Sequence, residues 1–164
     1  MSIKNQRGFT LVEMLVVVAI IAILASIFLV GLRGFRGSAY DSKRLADLQR
    51  IQSYLEIYYN KNRAYPTSIT SWSVGGSSLE AALAGAGIGI ASIPKDPQFA
   101  GQSYDYGYKV CDGDQGYVAS ALISEGSASF KDAPGVNETG CSGTTFTCGD
   151  TSEKTGMKRY CTGS

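Results

Sequence analysis

From Phe9 to Leu32 the chain is almost unbroken apolar sequence, FTLVEMLVVVAIIAILASIFLVGL, with a single charge at Glu13. Wound as a helix at about 1.5 Å per residue, this segment would run about 36 Å, enough to cross a hydrocarbon core of about 30 Å. Its β-branched residues do not argue against helix, because a lone segment in lipid must satisfy every backbone group internally. The pattern then changes. Over 38–63, Leu45, Leu48, Ile51, Leu55 and Tyr58 recur every three or four positions, with Lys43, Asp47, Arg50 and Glu56 between them. That spacing predicts an amphipathic helix, which Tyr65-Pro66 should end. Gly31, Gly34 and Gly37 lie at the junction. They read either as a loop or as a soft joint in one long helix, each interior glycine costing about 0.8–1 kcal/mol against alanine.

Beyond Pro66 the signals are shorter. Residues 67–92 are rich in Ser, Ala and Gly, with a helical patch at Ser78–Ala84. Alternation predicts two strands, Ser103–Val110 and Gly116–Ser124, joined as a hairpin by the turn Asp112-Gly113-Asp114. Tyr104, Tyr106 and Tyr108 would share one face of the first strand.

Composition narrows the chemistry. The 164 residues contain no histidine, which excludes a Ser-His-Asp or Cys-His centre, an HExxH zinc protease and any His-ligated metal. The run Gly85-Ala86-Gly87-Ile88-Gly89 lacks the third glycine and preceding strand of a dinucleotide fingerprint, and no Walker A sequence occurs. No catalysis is expected. A net charge of +1 gives no push toward nucleic acid. Its distribution is uneven: residues 31–63 balance to +4 and residues 64–164 to −4, a basic stem and an acidic head.

The apolar segment has three readings. A secretory signal would have the positive start that Lys4 and Arg7 supply, but its apolar core should span only about 7–15 residues before a small-x-small site. Here Met14–Val30 is uninterrupted and Ile23-Leu24-Ala25 is a poor site. A plain anchor fits the length and leaves Glu13 unexplained, since a carboxyl within the bilayer costs a few kcal/mol and is functional by default. The third reading accounts for both ends. Arg7-Gly8-Phe9-Thr10-Leu11-Val12-Glu13 resembles the leader and cleavage site of type IV prepilins and type II secretion pseudopilins. The resemblance implies cutting after Gly8 by a prepilin peptidase, N-methylation of Phe9, and a Glu13 that meets the new amine of a neighbour's Phe9 in a helical filament. A glycine suits a scissile bond that an enzyme must approach closely. In a continuous helix Phe9 and Glu13 would share a face, one turn apart. An unpaired carboxylate in an apolar bundle would penalise any wrong stagger.

Ile93-Pro94-Lys95-Asp96-Pro97, followed by Tyr104-Asp105-Tyr106, resembles the proline-acid-proline turn and Tyr-x-Tyr strand of major pseudopilins and related pilins. Gln98-Phe99 stands where many have tryptophan-glycine. Asp112 and Asp114 are candidate calcium ligands on the same resemblance, although Ile123 occupies the twelfth position where an EF-hand loop needs glutamate. The turn reading is preferred, and no other cofactor is expected. Asn137-Glu138-Thr139 matches a glycosylation sequon and is read as chance.

The cysteines are Cys111, Cys141, Cys148 and Cys161. Without CxxC spacing or histidine they read as a disulfide framework outside the cytoplasm rather than a zinc site. Three pairings are open, with a preference for two bridges closing Thr139–Ser164, a tail otherwise poor in apolar residues.

The expected fold is α+β and type IV pilin-like: a long N-terminal helix packed on a small antiparallel β-sheet head with a disulfide-tied tail. The expected segments are a cleaved leader (1–8), a transmembrane and filament-core helix (9–32), an amphipathic stem (33–65) and a head (66–164). The expected partners are copies of the chain, the prepilin peptidase/methyltransferase, an inner-membrane platform protein and the lipid bilayer, with no nucleic acid. Before assembly the chain would sit single-pass in the inner or cytoplasmic membrane with its head outside. Afterwards it would lie in a surface or periplasmic filament. The alternative is a membrane-anchored extracytoplasmic binding protein that does not polymerise.

Overall fold

The computed structural model of the protein describes residues 9–99, 105–125, 138–151 and 155–163, and of 28–36 the backbone alone. The chain divides into two compact units, 1–37 and 38–164. The helix α1, Leu11–Asn62, contributes to both. The segment of Gly31, Gly34 and Gly37 is therefore helical and not a loop. In the first unit every described side chain from Phe9 to Ile27 is exposed.

In the second unit α1 ends at Asn62, before the expected stop at Tyr65-Pro66. Arg63 takes a left-handed φ of 59°, and its N–H donates to the Tyr59 carbonyl at 2.7 Å. This is an αL cap that closes the last turn. The helical patch is α2, Leu79–Gly85, and Ser78 caps it by accepting from the Ala81 N–H at 3.2 Å.

Among the described residues there are four strands, β1 (Gly107–Cys111), β2 (Gly116–Ser124), β3 (Ser142–Gly143) and β4 (Met157–Gly163). They form one antiparallel sheet in the order β3-β1-β2-β4. The hairpin register pairs Gly107 with Ser120 and Cys111 with Gly116. Its turn needs the positive φ of 61° at Gly113, and Asp112 and Asp114 on either side are also left-handed. β2 begins and ends as expected; β1 starts at Gly107, and Ser103 and Tyr104 lie outside the described residues.

The disulfide-tied tail also contains a strand, β4, that the sequence pattern did not announce. Met157, Arg159 and Cys161 alternate inward, and the strand pairs with β2 from Ser124↔Met157 to Val118↔Gly163. On its far side the backbone is also engaged. The Gly149 N–H donates to the Arg159 carbonyl at 2.8 Å, and the Arg159 N–H donates to Asp150 at 2.9 Å. On β1's outer side, the Thr144 N–H donates to the Tyr108 carbonyl at 2.9 Å beside the two-residue pairing with β3.

The core lies between the stem part of α1 and the sheet. Leu48, Ile51 and Leu55 pack with Tyr65, Trp72, Leu79, Leu83, Tyr106, Tyr108 and Tyr117. Each such side chain contributes roughly 1.5–3 kcal/mol by leaving water. Leu45 and Tyr58, at the ends of the predicted stripe, are half-buried. Tyr106 and Tyr108 do enter one core, but their rings do not stack on each other. Tyr106 meets Trp72 edge-on at 5.1 Å, and Tyr108 stacks on Tyr117 at 6.5 Å.

Candidate functional site

Two places concentrate chemistry: the start of α1 and a set of buried charges in the head. At the start of α1, Thr10 is the N-cap. Its N–H and hydroxyl both donate to the Glu13 carboxylate at 2.8 Å, and the Glu13 N–H donates back to Thr10 Oγ1 at 3.3 Å. This is a capping box, in which two orphan N–H groups at a helix start are satisfied reciprocally. Thr10-x-x-Glu13 before an apolar run is its sequence signature, and it supplies Glu13 with a local partner that was not anticipated. Phe9 stands ahead of the helix, 82% exposed. Gly8, the other half of the expected cleavage site, lies outside the described residues. Among the described residues no helix is long and apolar enough to cross a membrane; the described apolar side chains of this segment end at Ile27.

In the head, Arg44 is 1% exposed. Its Nε donates to Asp96 at 2.6 Å, Nη2 to the other Asp96 oxygen at 3.2 Å and to Gln98 at 2.9 Å, and Nη1 to Asp41 at 3.0 Å. The Ser124 N–H donates to Asp41, and the Gln98 N–H to Asp96. Burial pulls the Arg44 guanidinium down, but Asp96 and Asp41 outweigh it and hold it above its ordinary value. The fork geometry of arginine suits this double carboxylate grip. It ties α1 to the Ile93–Pro97 turn and to the end of β2. Asp47, expected on the polar face of α1, is also buried and accepts from the Tyr106 hydroxyl at 2.8 Å. Burial first, and then that hydrogen bond, push the Tyr106 phenol well above its ordinary range. Part of the apparent charge of the stem is thus internal structure rather than a solvated surface. Helical spacing alone could not reveal this, because the partners lie about fifty residues away in sequence.

The cysteines pair as Cys111–Cys141 and Cys148–Cys161. Only the second bridge lies within Thr139–Ser164, which corrects the expected placement. Cys111 ends β1, so the first bridge draws the tail against the hairpin. Asp112 and Asp114 sit at the hairpin turn, and among the described residues they are not drawn into a cluster of three metal-ligating groups. The one such cluster among the described residues is Glu138, Cys148 and Cys161, whose two sulfurs are bonded to each other. Glu138 instead receives the Lys109 ammonium at 2.5 Å and the Cys148 N–H. Asn137 of the sequon lies outside the described residues.

Residues 3–29 match the family model described as the prokaryotic N-terminal methylation motif. The chain therefore carries the class III prepilin leader found in type IV pilins and pseudopilins. Behind it stands an α+β head of pilin-like architecture, with an antiparallel sheet and two disulfides. No curated protein and no solved structure matches the chain significantly.

Proposed function

We propose that the protein is a structural subunit of a type IV pilus or type II secretion pseudopilus. It is cleaved after Gly8, N-methylated on Phe9 and polymerised through its N-terminal helix, with no catalysis of its own. The observation that carries this reading is the joining of the methylation motif to an uncovered apolar helix. From Phe9 to Ile27 the large apolar side chains are 49–82% exposed. Burying each gains roughly 1.5–3 kcal/mol, so the segment needs lipid first and neighbouring copies later. In this reading the subunit waits in the inner or cytoplasmic membrane with its head outside. The peptidase/methyltransferase processes it, and the platform protein hands it to the filament.

Cleavage removes Lys4 and Arg7 and places a cationic amine beside Thr10 and Glu13. A neighbour's amine then finds a carboxylate already oriented by the capping box. Glu13→Gln separates the two roles, because glutamine can keep the capping hydrogen bonds while losing the charge. In cells with an active prepilin peptidase, mass spectrometry should show both wild type and variant starting at Phe9. The variant should fill the membrane pool and fail to enter filaments. Normal filament yield from Glu13→Gln would show that the Glu13 charge is not an assembly contact, and a wild-type chain absent from filaments would point instead to an anchor that does not polymerise.

A further inference from the structure

Among the described residues, one face of α1 in the second unit is uncovered. Away from the buried Leu48, Ile51 and Leu55, the side chains of Ser42, Lys43, Ala46, Gln49, Arg50 and Ser53 are exposed. The relief of this face is low. The Ser42 hydroxyl donates to the Ser38 carbonyl at 2.9 Å and the Ser53 hydroxyl to the Gln49 carbonyl at 3.2 Å, so both fold back on their own helix. Lys43 and Arg50 are the cations of this face. They are two helical turns apart and so share one side, about 10 Å from each other.

The buried network leaves these two charges unopposed. Asp41 and Asp47, the nearest acids in the helix sequence, turn inward to Arg44, Ser124 and Tyr106. The other exposed charges of this part of α1 are engaged elsewhere: Glu56 accepts from the Tyr65 hydroxyl at 2.9 Å, and Lys61 donates to the Ala86 carbonyl at 2.6 Å. Among the described ion pairs none includes Lys43 or Arg50. The complementary charge stands at the hairpin tip. Asp112, Gly113 and Asp114 take left-handed φ values of 51°, 61° and 71° in succession, and neither acid enters a described ion pair. Asp112 is exposed and Asp114 half-buried. The end of α1 braces the tip: the Tyr65 N–H donates to the Asp114 carbonyl at 2.9 Å, and the Tyr59 hydroxyl donates to Gln115 at 2.7 Å. A tip fixed in advance loses little freedom when it makes a contact.

Every copy carries both halves, yet within one copy they cannot meet. The tip sits at the Asn62 end of α1, and Lys43 and Arg50 lie about 28 and about 18 Å before that end at 1.5 Å per residue. A parallel copy displaced along the helix by about 18–28 Å brings its tip level with the cations of its neighbour. Such a contact is heterologous: each copy gives its tip to one neighbour and its helix face to another. Repeated without closure, that arrangement builds an open helical filament and not a closed dimer. We propose that the exposed face of α1 at Lys43 and Arg50 docks the Asp112–Asp114 tip of a second copy of this chain. The inference rests on the filament reading above and adds to it a named interface and an axial stagger. Exposed ion pairs are individually weak, so the contact sets direction and register more than strength.

The test compares filaments and membrane-pool subunit for the full chain at equal expression. Lys43→Glu with Arg50→Glu, and separately Asp112→Asn with Asp114→Asn, should each lower filament yield about tenfold or more while the membrane pool stays at the wild-type level. Asparagine tolerates the left-handed turn, so the second pair removes charge and keeps the tip. Carbodiimide cross-linking of wild-type filaments, read by mass spectrometry, should join Lys43 to Asp112 or Asp114, a link that one copy cannot make with itself. That arm decides where a variant fails to reach the membrane pool. Normal yield from either variant, cross-links from Lys43 to Glu125 in place of the tip, or filaments without a Lys43 link would overturn the proposal. A wild-type chain that never enters filaments would remove the functional reading and this inference with it.

Discussion

Arg44→Met removes the only cation placed between Asp41 and Asp96 among the described ion pairs. The methionine fills much of the same volume, so the loss falls on electrostatics rather than on packing. It leaves two carboxylates at 2% and 4% exposure, with the Ser124 N–H still donating to Asp41 and the Gln98 N–H to Asp96. Breaking a buried ion pair from one side typically costs about 3–5 kcal/mol, because the stranded charge keeps its desolvation penalty. Against a domain stability of about 5–15 kcal/mol this is a large fraction. For a head of this size it should lower the melting midpoint by about 12–20 °C. The assay is urea and thermal unfolding of residues 38–164, the unit that is compact by itself. The companion variant adds Asp41→Asn and Asp96→Asn. With no charge left to strand, it should recover more than half of the loss. A cost below about 1 kcal/mol for Arg44→Met, or no recovery in the triple variant, would show that the network does not strut the helix against the head.

The disulfides should differ in cost. Replacing Cys148 and Cys161 by serine opens a loop with a separation of 13, and replacing Cys111 and Cys141 opens one of 30. Chain entropy assigns them about 3 and about 3.7 kcal/mol respectively, readable by denaturant unfolding, and equal midpoints would contradict the ordering. Asp105 gives a pH signature. Its folded carboxyl is raised by burial, so its contribution favours the protonated form and is lost as pH rises through the folded value. Asp105→Asn should therefore be more stable than wild type at pH 7, and the gap should close below the ordinary aspartate value of about 3.9. A gap that widens toward acid would reverse the assignment.

What could be read from the sequence was whatever local periodicity encodes. Leu48, Ile51 and Leu55 announced the buried face of α1, Ser78 the start of α2, and Asp112-Gly113-Asp114 the hairpin. The methylation motif was legible because its residues are contiguous. The misses share a different cause. Asp41, Arg44 and Asp47 look like surface charges until a turn and strands remote in sequence supply their partners. β4 was overlooked because Lys158, Arg159 and Tyr160 between Met157 and Cys161 disguise a two-residue alternation.

Both flanks of the sheet have their main-chain groups engaged near their middles. Gly149 and Asp150 take the outer side of β4 at Arg159, and Thr144 with the short β3 takes the outer side of β1. A free strand edge is a template for the next chain's strand, and proteins that must tolerate crowding blunt it. Heads brought side by side at high local concentration would thus find few open backbone groups for strand addition. Lateral contact falls to side chains and to the helix, which are surfaces that can be broken and remade. For a subunit proposed to enter an ordered array, that diverts association from the cross-strand stacking that ends in aggregates.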